Sequence, residues 1–446
     1  MFQYKLAQLR SIAERALREG RTCGASAMAV ELSENFGLSV NVRRQAVETI
    51  EQTRDRSLSV TVYIGKARGH ASTGDLSLAA MRETVRAAYE IARFTAADPF
   101  AGLPSRASLA RDVPDLDLYH PWAISSAQAV RRAMAMEAAA LAVSDEIGNS
   151  DGASVSTGEG QFVLANSLGF NDGYRYTRHS LSCMPIAVRG RDMQRDYWYA
   201  VDCDATRLPP VAAIGDYAAR RALSRLGGRR LSTRRVPVLF EAPVAAGLLG
   251  HLAQAANGGN LYRESSFLQD TLGKPVFADH IDIHERPHEV GNLGAAPFDG
   301  EGVATRARQI VRAGVLKGYF LSTYSARKLK MRTTGNAGGS HLLTLTSRLT
   351  RPGDDFEAML RKLGTGLLVT ELMGQGVNYV TGDYSRGASG FWVENGEIRY
   401  PVEEITIAGS MPEMFRGITA VGTDVTQRGG KRTGSVLIGE MAVAGT

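Results

Sequence analysis

Residues 236–260 read VPVLFEAPVAAGLLGHLAQAANGGN. The first five are apolar and rich in β-branched side chains, and Pro243 then opens a run of Ala, Leu and Gly that closes on Asn257-Gly258-Gly259. Pro in the first turn and Gly past the last are the usual boundaries of a helix. The stretch predicts a strand feeding a short buried helix, a common mount for a reactive group. Yet only His251, Gln254 and Asn257 carry any chemistry there. A single imidazole is more often a hydrogen-bonded core histidine than a metal ligand.

Downstream of this stretch Gly is frequent and strand-like runs predominate, including HLLTLTS (341–347), GLLVTEL (366–372), GFWV (390–393) and SVLIGEMAV (435–443). They predict a β-rich domain with many tight turns. Upstream, the polar, basic GGRRLSTRR of residues 227–235 is the favoured boundary. Before it, Leu6, Leu9, Ile12, Ala13, Ala16 and Leu17 follow helical spacing up to Gly20. Strand-like runs follow at 25–31, 38–42 and 58–64, then a helix capped by Asp75 or Ser77 and running to about Phe94. Residues 96–122, with ADPF, GLPS, DVPD and HPW, read as a linker or long loop. A helix over 126–143, strands near 161–165, 174–188 and 196–201, and a helix over 211–226 complete this half. The expectation is an α+β chain of two domains. Residues 1–230 form a mixed unit with antiparallel strands and a sub-boundary at 96–122; residues 231–446 form a β-rich unit around a short buried helix.

At 446 residues the chain exceeds the usual size of one domain. A hydrophobic share of 44%, a charged share of 22% and a net charge of +6 describe a mildly basic globular protein. The excess is uneven. Residues 302–353 hold no Asp or Glu but carry Arg306, Arg308, Arg312, Lys317, Arg327, Lys328, Lys330, Arg332, Arg348 and Arg351. A phosphate-binding face, a groove for acidic peptides and a plain solvated surface all look like this. Cys23, Cys183 and Cys203 cannot make an even disulfide framework and read as reduced thiols in a cytoplasmic protein. The N-terminus reads as an amphipathic helix, not a signal peptide. No stretch approaches the ~18 consecutive apolar residues of a membrane span.

Three motifs invite chemistry. His284-Glu285-Arg286-Pro287-His288 matches H-E-x-x-H, but the zinc mechanism needs both histidines on one helical face. Pro287 disfavours helix there, and on a strand the two rings lie ~13 Å apart. His280, Asp282 and His284 alternate onto one strand face as a conceivable metal group. Gly148-Asn149-Ser150-Asp151-Gly152 fits G-x-S-x-G, but a helix precedes it and strand-like residues follow, the reverse of a nucleophile elbow. It reads as a turn. No P-loop pattern occurs.

Longer stretches carry a resemblance. They are Pro297-Phe298-Asp299-Gly300-Glu301-Gly302-Val303, then Tyr324-Ser325-Ala326-Arg327-Lys328-Leu329, then GVNYVTGDYSRGASGFW at 376–392, running on to PVEEITIAG at 401–409. With the helix from Leu78 and the DPFAGLP of residues 98–104, they resemble the TldD/PmbA family, and within it the PmbA (TldE) branch. The resemblance implies a cytoplasmic zinc metallopeptidase built from one TldD-like and one PmbA-like chain. Its substrate is an unfolded or small peptide held between the two. Family roles include maturing a peptide antibiotic, degrading an unfolded antitoxin and an older label as a modulator of DNA gyrase.

The catalytic branch carries an H-E-x-x-x-H helix and a later cysteine as zinc ligands. Matched through the shared Leu-Leu and Gly-Asn, the ligand positions fall on Gly250, His251 and Ala255, and no cysteine follows Cys203. The resemblance therefore implies a subunit without its own metal, with zinc in a TldD-like partner. Candidates to face substrate or partner are His251, Arg327, Lys328, Asn336, His341, Asn378 and Arg386. Two alternatives stand beside this. One is a nucleic-acid-associated regulator, although no nucleic-acid motif is recognisable; the other is a self-sufficient hydrolase built on His280, Asp282 and His284.

Overall fold

The structure, a computed structural model, describes residues 2–445. The chain divides into two compact units. The first comprises Met1–Leu223, Val290–Thr305 and Ser322–Ala337; the second comprises Ser224–Glu289, Arg306–Leu321 and Gly338–Thr446. Two short stretches of the C-terminal half thus group with the first unit.

In the first unit α1 (Leu6–Thr22) precedes a long hairpin of β1 (Ala27–Arg43) and β2 (Ala46–Ile64), then β3 (Ala67–Thr73) and α2 (Leu78–Phe94). There follow α3 (Ser126–Leu141), β4 (Asn149–Asn166), β5 (Asn171–Arg189), β6 (Asp192–Arg195), β7 (Trp198–Asp202) and α4 (Val211–Ser224). The strands make one antiparallel sheet in the order β3-β2-β1-β4-β5-β6, with β7 also on β5. Helical spacing puts Leu9, Ala13 and Ala16 of α1 and Met81, Val85, Ala88 and Ala92 of α2 on inward stripes. They pack with Val30, Leu32, Val60 and Val62 of the sheet. The Ser77 hydroxyl caps α2 by accepting from the Ala80 N–H. At Gly69 strand and helix meet backbone to backbone: a Cβ there would lie 1.9 Å from the Ala88 carbonyl oxygen.

Several local expectations change. The runs at 25–31, 38–42 and 58–64 belong to a single hairpin, turned at Arg44-Gln45, where both residues have positive φ (52° and 57°). No Asn-Gly announces that turn. The first ten residues of β2 are all exposed, so no apolar alternation marks them either, and the ladder with β1 holds them. Gly20 lies inside α1, packed against Met28, where a Cβ would sit 2.3 Å from Sδ. The Gly148–Gly152 stretch, expected as a turn, is the bulged start of β4. Register slips between Ser150 and Ala153, with Gly152 at φ 111°. The Ser150 hydroxyl accepts from the Gly152 N–H at 2.8 Å, bending the strand rather than reversing it. Residues 96–122 stay irregular apart from one short turn of 3₁₀ helix, Arg106–Ser108. They nevertheless bury Leu109, Leu116 and Leu118, so the segment is a packed loop.

The second unit opens with β8 (Arg234–Phe240) and α5 (Ala242–Ala255), the strand and buried helix expected there, with Pro243 in the first turn. Asn257-Gly258-Gly259 does not close α5. Asn257 caps the next short helix, α6 (Gly258–Leu261), by accepting from the Gly259 N–H at 2.8 Å. The chain continues through β9 (Ile281–Glu285), β10 (Arg308–Arg312) and β11 (Val315–Leu316); α7 (Thr323–Lys328) lies in the first unit. Then come β12 (Leu343–Ser347), α8 (Phe356–Leu363), β13 (Gly366–Met373), β14 (Asp383–Glu394), β15 (Glu397–Ser410) and α9 (Met411–Arg416). Four strands finish it: β16 (Ile418–Val421), β17 (Thr426–Arg428), β18 (Lys431–Thr433) and β19 (Val436–Ala444).

The strands of this unit form two sheets, ordered β11-β10-β9-β12-β18-β17 and β15-β14-β13-β8-β19-β16. In the latter β15 also pairs β19, closing five strands into a ring. The α+β class is as expected. Among the described residues no helix is long and apolar enough to cross a membrane.

Candidate functional site

Half of α5 is buried, and Gly247, Gly250, His251 and Gln254, spaced i, i+3, i+4 and i+7, form a strip that reaches the surface. His251 Nδ1 shares a 2.9 Å hydrogen bond with the Tyr379 hydroxyl. The imidazole stands edge-on to Tyr384, ring centres 5.9 Å apart. Tyr384 and Arg386 lie two residues apart on β14 and so project to the same face of the strand. Tyr384 is 2% exposed; its hydroxyl lies against the Arg386 side chain, and its own O–H finds no acceptor among the described residues. Arg386 Nε is buried without an acceptor, and its guanidinium reaches the Tyr384 hydroxyl and, at a long 3.5 Å, the Leu372 carbonyl.

Burial, helped by the nearby Arg386 charge, pushes the His251 pKa down to about 4. Burial pushes the Tyr384 phenol up to about 12. At neutral pH the cluster is thus a neutral imidazole and two protonated phenols beside one fixed positive charge. Above Gly250 lies Lys431 of β18, its Cε 3.5 Å from where a Cβ would stand. Burial lowers the pKa of that ammonium.

The titration of His251 has a measurable consequence. Its folded pKa lies below the unfolded value near 6.5, so the unfolded chain binds more protons between about pH 4 and 6.5. Stability contributed by neutral His251 is therefore complete above that window and falls as acid is added. A His251→Gln variant is expected to lose less stability than the parent between pH 6.5 and 4.5, by about 2–3 kcal/mol at the scale of 1.36 kcal/mol per pKa unit. Urea unfolding at both pH values checks this; parallel curves would count against it.

The strip does not fit a zinc ion. Gly250 and Ala255 have no donor atom, Ala255 is fully buried, and a cationic side chain stands over the first position. Zinc sites use three or four protein ligands. The other metal candidates are dispersed as well. Both ring nitrogens of His280 are engaged, by the Ser347 hydroxyl at 2.8 Å and the Ile418 carbonyl at 2.9 Å. Asp282 accepts from the Ala313 N–H. His284-Glu285 ends strand β9 rather than lying on a helix, and Glu285 is buried against Arg308. Among the described residues no three His, Cys, Asp or Glu side chains gather as a metal site.

Of the seven candidates named from sequence, His251 and Arg386 come together. In the first unit, Arg327 clamps the loop at residues 98–104 by donating to the carbonyls of Phe100, Gly102 and Leu103. Lys328 lies over the Phe100 ring, 4.4 Å from its centre. The Tyr324 hydroxyl donates to Asp98 at 2.6 Å. The two quoted motifs are therefore partners. With Lys66, Arg68 and Glu301 they border a cavity of about 380 Å³. Asn336 is buried and accepts from the Thr334 hydroxyl. In the second unit, the His341 N–H donates to Glu285, and the Asn378 side chain accepts from the Val380 N–H within its own loop. Sequence reasoning did not single out Tyr379, Tyr384 or Lys431. The tyrosines were visible inside the 376–392 run, whereas nothing in RGGKRT (428–433) pointed to the lysine.

Three family models cover the chain: PmbA/TldA metallopeptidase domain 1 over residues 29–92, the central domain over 119–226 and the C-terminal domain over 233–445. Metalloprotease PmbA of Escherichia coli O157:H7 is 48% identical over 429 residues, covering 96% of this chain and 94% of the relative. A PmbA homolog of Haemophilus influenzae is 45% identical over 98% of this chain and 96% of its own. Among solved structures, a candidate modulator of DNA gyrase from Bacteroides thetaiotaomicron superimposes with a TM-score of 0.92 at 26% identity, covering 98% of this chain and 99% of that one. TldE from Thermococcus kodakarensis shares the fold, with a TM-score of 0.82 at 17% identity over 97% of this chain and 100% of that one.

Proposed function

Because the chain belongs to the PmbA/TldD metallopeptidase family, on its PmbA/TldE side, we propose that it is the non-catalytic subunit of a heteromeric zinc peptidase. Its role is to complete the substrate cavity and align an unfolded or small peptide for a TldD-like partner that holds the zinc. We place the complex in the cytoplasm, where peptide-antibiotic maturation and antitoxin turnover would occur. The observation that carries the reading is the chemistry of α5: Gly250 and Ala255 offer no ligand at the matched positions, and Lys431 leans over the first.

The experiment is mixing. The purified chain alone is expected to hold no stoichiometric zinc and to leave unstructured peptides intact, and adding a TldD-like chain is expected to produce both zinc and hydrolysis. Hydrolysis by the lone chain at a rate unaffected by the partner would end the proposal. The nucleic-acid reading gains no comparable support, since in the acid-free segment Arg308 is engaged by Glu285 and Arg327 by backbone carbonyls.

A further inference from the structure

We propose that the cluster of Arg386, Tyr384, Tyr379 and His251 is a recognition site for a single carboxylate on an extended peptide. The first reason is unmet hydrogen bonding. Tyr384 is 2% exposed, its hydroxyl lies against the Arg386 side chain with no acceptor for its own O–H, and Arg386 Nε is buried without an acceptor. Buried polar groups are nearly always satisfied, and those that are not point to a missing partner. What each lacks is an acceptor for its O–H or N–H, so the missing partner is an acceptor. The second reason is charge. No Asp or Glu pairs with Arg386 among the described residues, whereas Arg225 and Arg308 of the same unit are held by Glu371 and Glu285.

His251, Tyr379 and Arg386 are half-buried, and most of the loop at residues 373–381 beside them is exposed. Both edges of β14 are already paired, by β13 and β15. A peptide here is therefore held through a side chain or terminus rather than by adding a strand. The net charge selects among anions. His251 is neutral, and among the described residues Arg386 is the one fixed charge that its ring and the two phenols surround. One guanidinium with flanking phenols matches a planar monoanion better than a phosphate group.

The proposal rests on the peptide-handling role above, and the test separates the two because it uses the intact zinc-free chain without a partner. A fluorescently labelled Gly-Ser-Ala peptide is titrated by anisotropy in three forms: free C-terminal carboxylate, C-terminal amide, and amide with one internal Glu. Binding of the first or third, weakened at least about tenfold in the plain amide, is expected, and which of them binds identifies a terminal or side-chain source. Arg386→Gln should weaken the same binding about tenfold, Arg386→Lys should restore part of it, and Tyr384→Phe, which preserves the packing, should weaken it several-fold. Thermal unfolding of each variant confirms that the fold is kept. Three results would overturn the site: equal affinity for acid and plain amide, unchanged affinity in a folded Arg386→Gln chain, or Arg386-dependent binding of a single-stranded oligonucleotide with none of the acidic peptides. Should the complex still cleave peptides after any of these, only the carboxylate assignment falls.

Discussion

Replacing Glu285 with alanine is expected to destabilise the protein by about 3–5 kcal/mol, the usual penalty for removing one partner of a buried ion pair. Glu285 is 1% exposed. Its Oε2 accepts from Arg308 Nε at 3.0 Å and Nη2 at 2.6 Å, and its Oε1 accepts from the His341 N–H at 2.9 Å. It sits at the end of β9, where β10 and β12 both pair. Truncation leaves a guanidinium, itself only 12% exposed, without its counter-charge. Urea unfolding at neutral pH measures the effect, and a shift under about 1 kcal/mol would mean the pair contributes no more than a surface bridge. Because this glutamate lies in a letter-for-letter H-E-x-x-H, its loss would resemble the loss of a catalytic base in any activity screen. The stability measurement tells the two apart.

Asp299→Ala is expected to be similarly severe, at least about 3 kcal/mol, because it strands three backbone donors. Asp299 is 3% exposed. Its Oδ1 accepts from the N–H groups of Glu301 and Val303, and its Oδ2 from that of Ala337, each at 2.9 Å. Burial still outweighs those bonds and raises its pKa to about 6. The sign follows. The folded value lies above the unfolded one, so the penalty for the charged form is full above about pH 6 and is relieved as pH falls toward 4. The parent therefore gains stability from this group on mild acidification, and the alanine variant does not. Asn keeps an oxygen for Glu301 and Val303 but turns an amide N–H toward Ala337, so Asp299→Asn should fall between the two. Thermal midpoints of the three proteins at pH 7 and 5 check the order; an alanine variant as stable as the parent would refute it.

Legibility in the sequence followed burial. Where a segment buries one face, its pattern was plain: α1 and α2 could be read from apolar spacing, and the β8–α5 unit from its apolar run and the Pro243 boundary. Where a segment is held by backbone pairing alone, nothing showed. The outer half of β2 has no apolar side to repeat, and Arg44-Gln45 turns the chain without the usual residues. Of the candidate site, the missing ligands at Gly250 and Ala255 were visible as letters. The partners of His251 were not, because Tyr379 and Tyr384 meet it only through tertiary packing more than a hundred residues away. The quoted family motifs proved to include internal fastenings. Arg327 and Tyr324 hold the 98–104 loop, so their persistence as letters speaks of architecture before chemistry.

The outer stretch of β2 has a consequence for how these molecules behave together. Residues 46–57 pair with β1 on one side, while β3 reaches only residues 58–64 on the other. An open row of amides and carbonyls is a template onto which a second molecule could zip. Glu48, Glu51, Arg54, Asp55 and Arg56 stud that margin, with Val47 exposed before them and Ile50 among them. Charges on such a margin oppose edge-to-edge pairing, so neutralising them is expected to raise self-association of the folded chain.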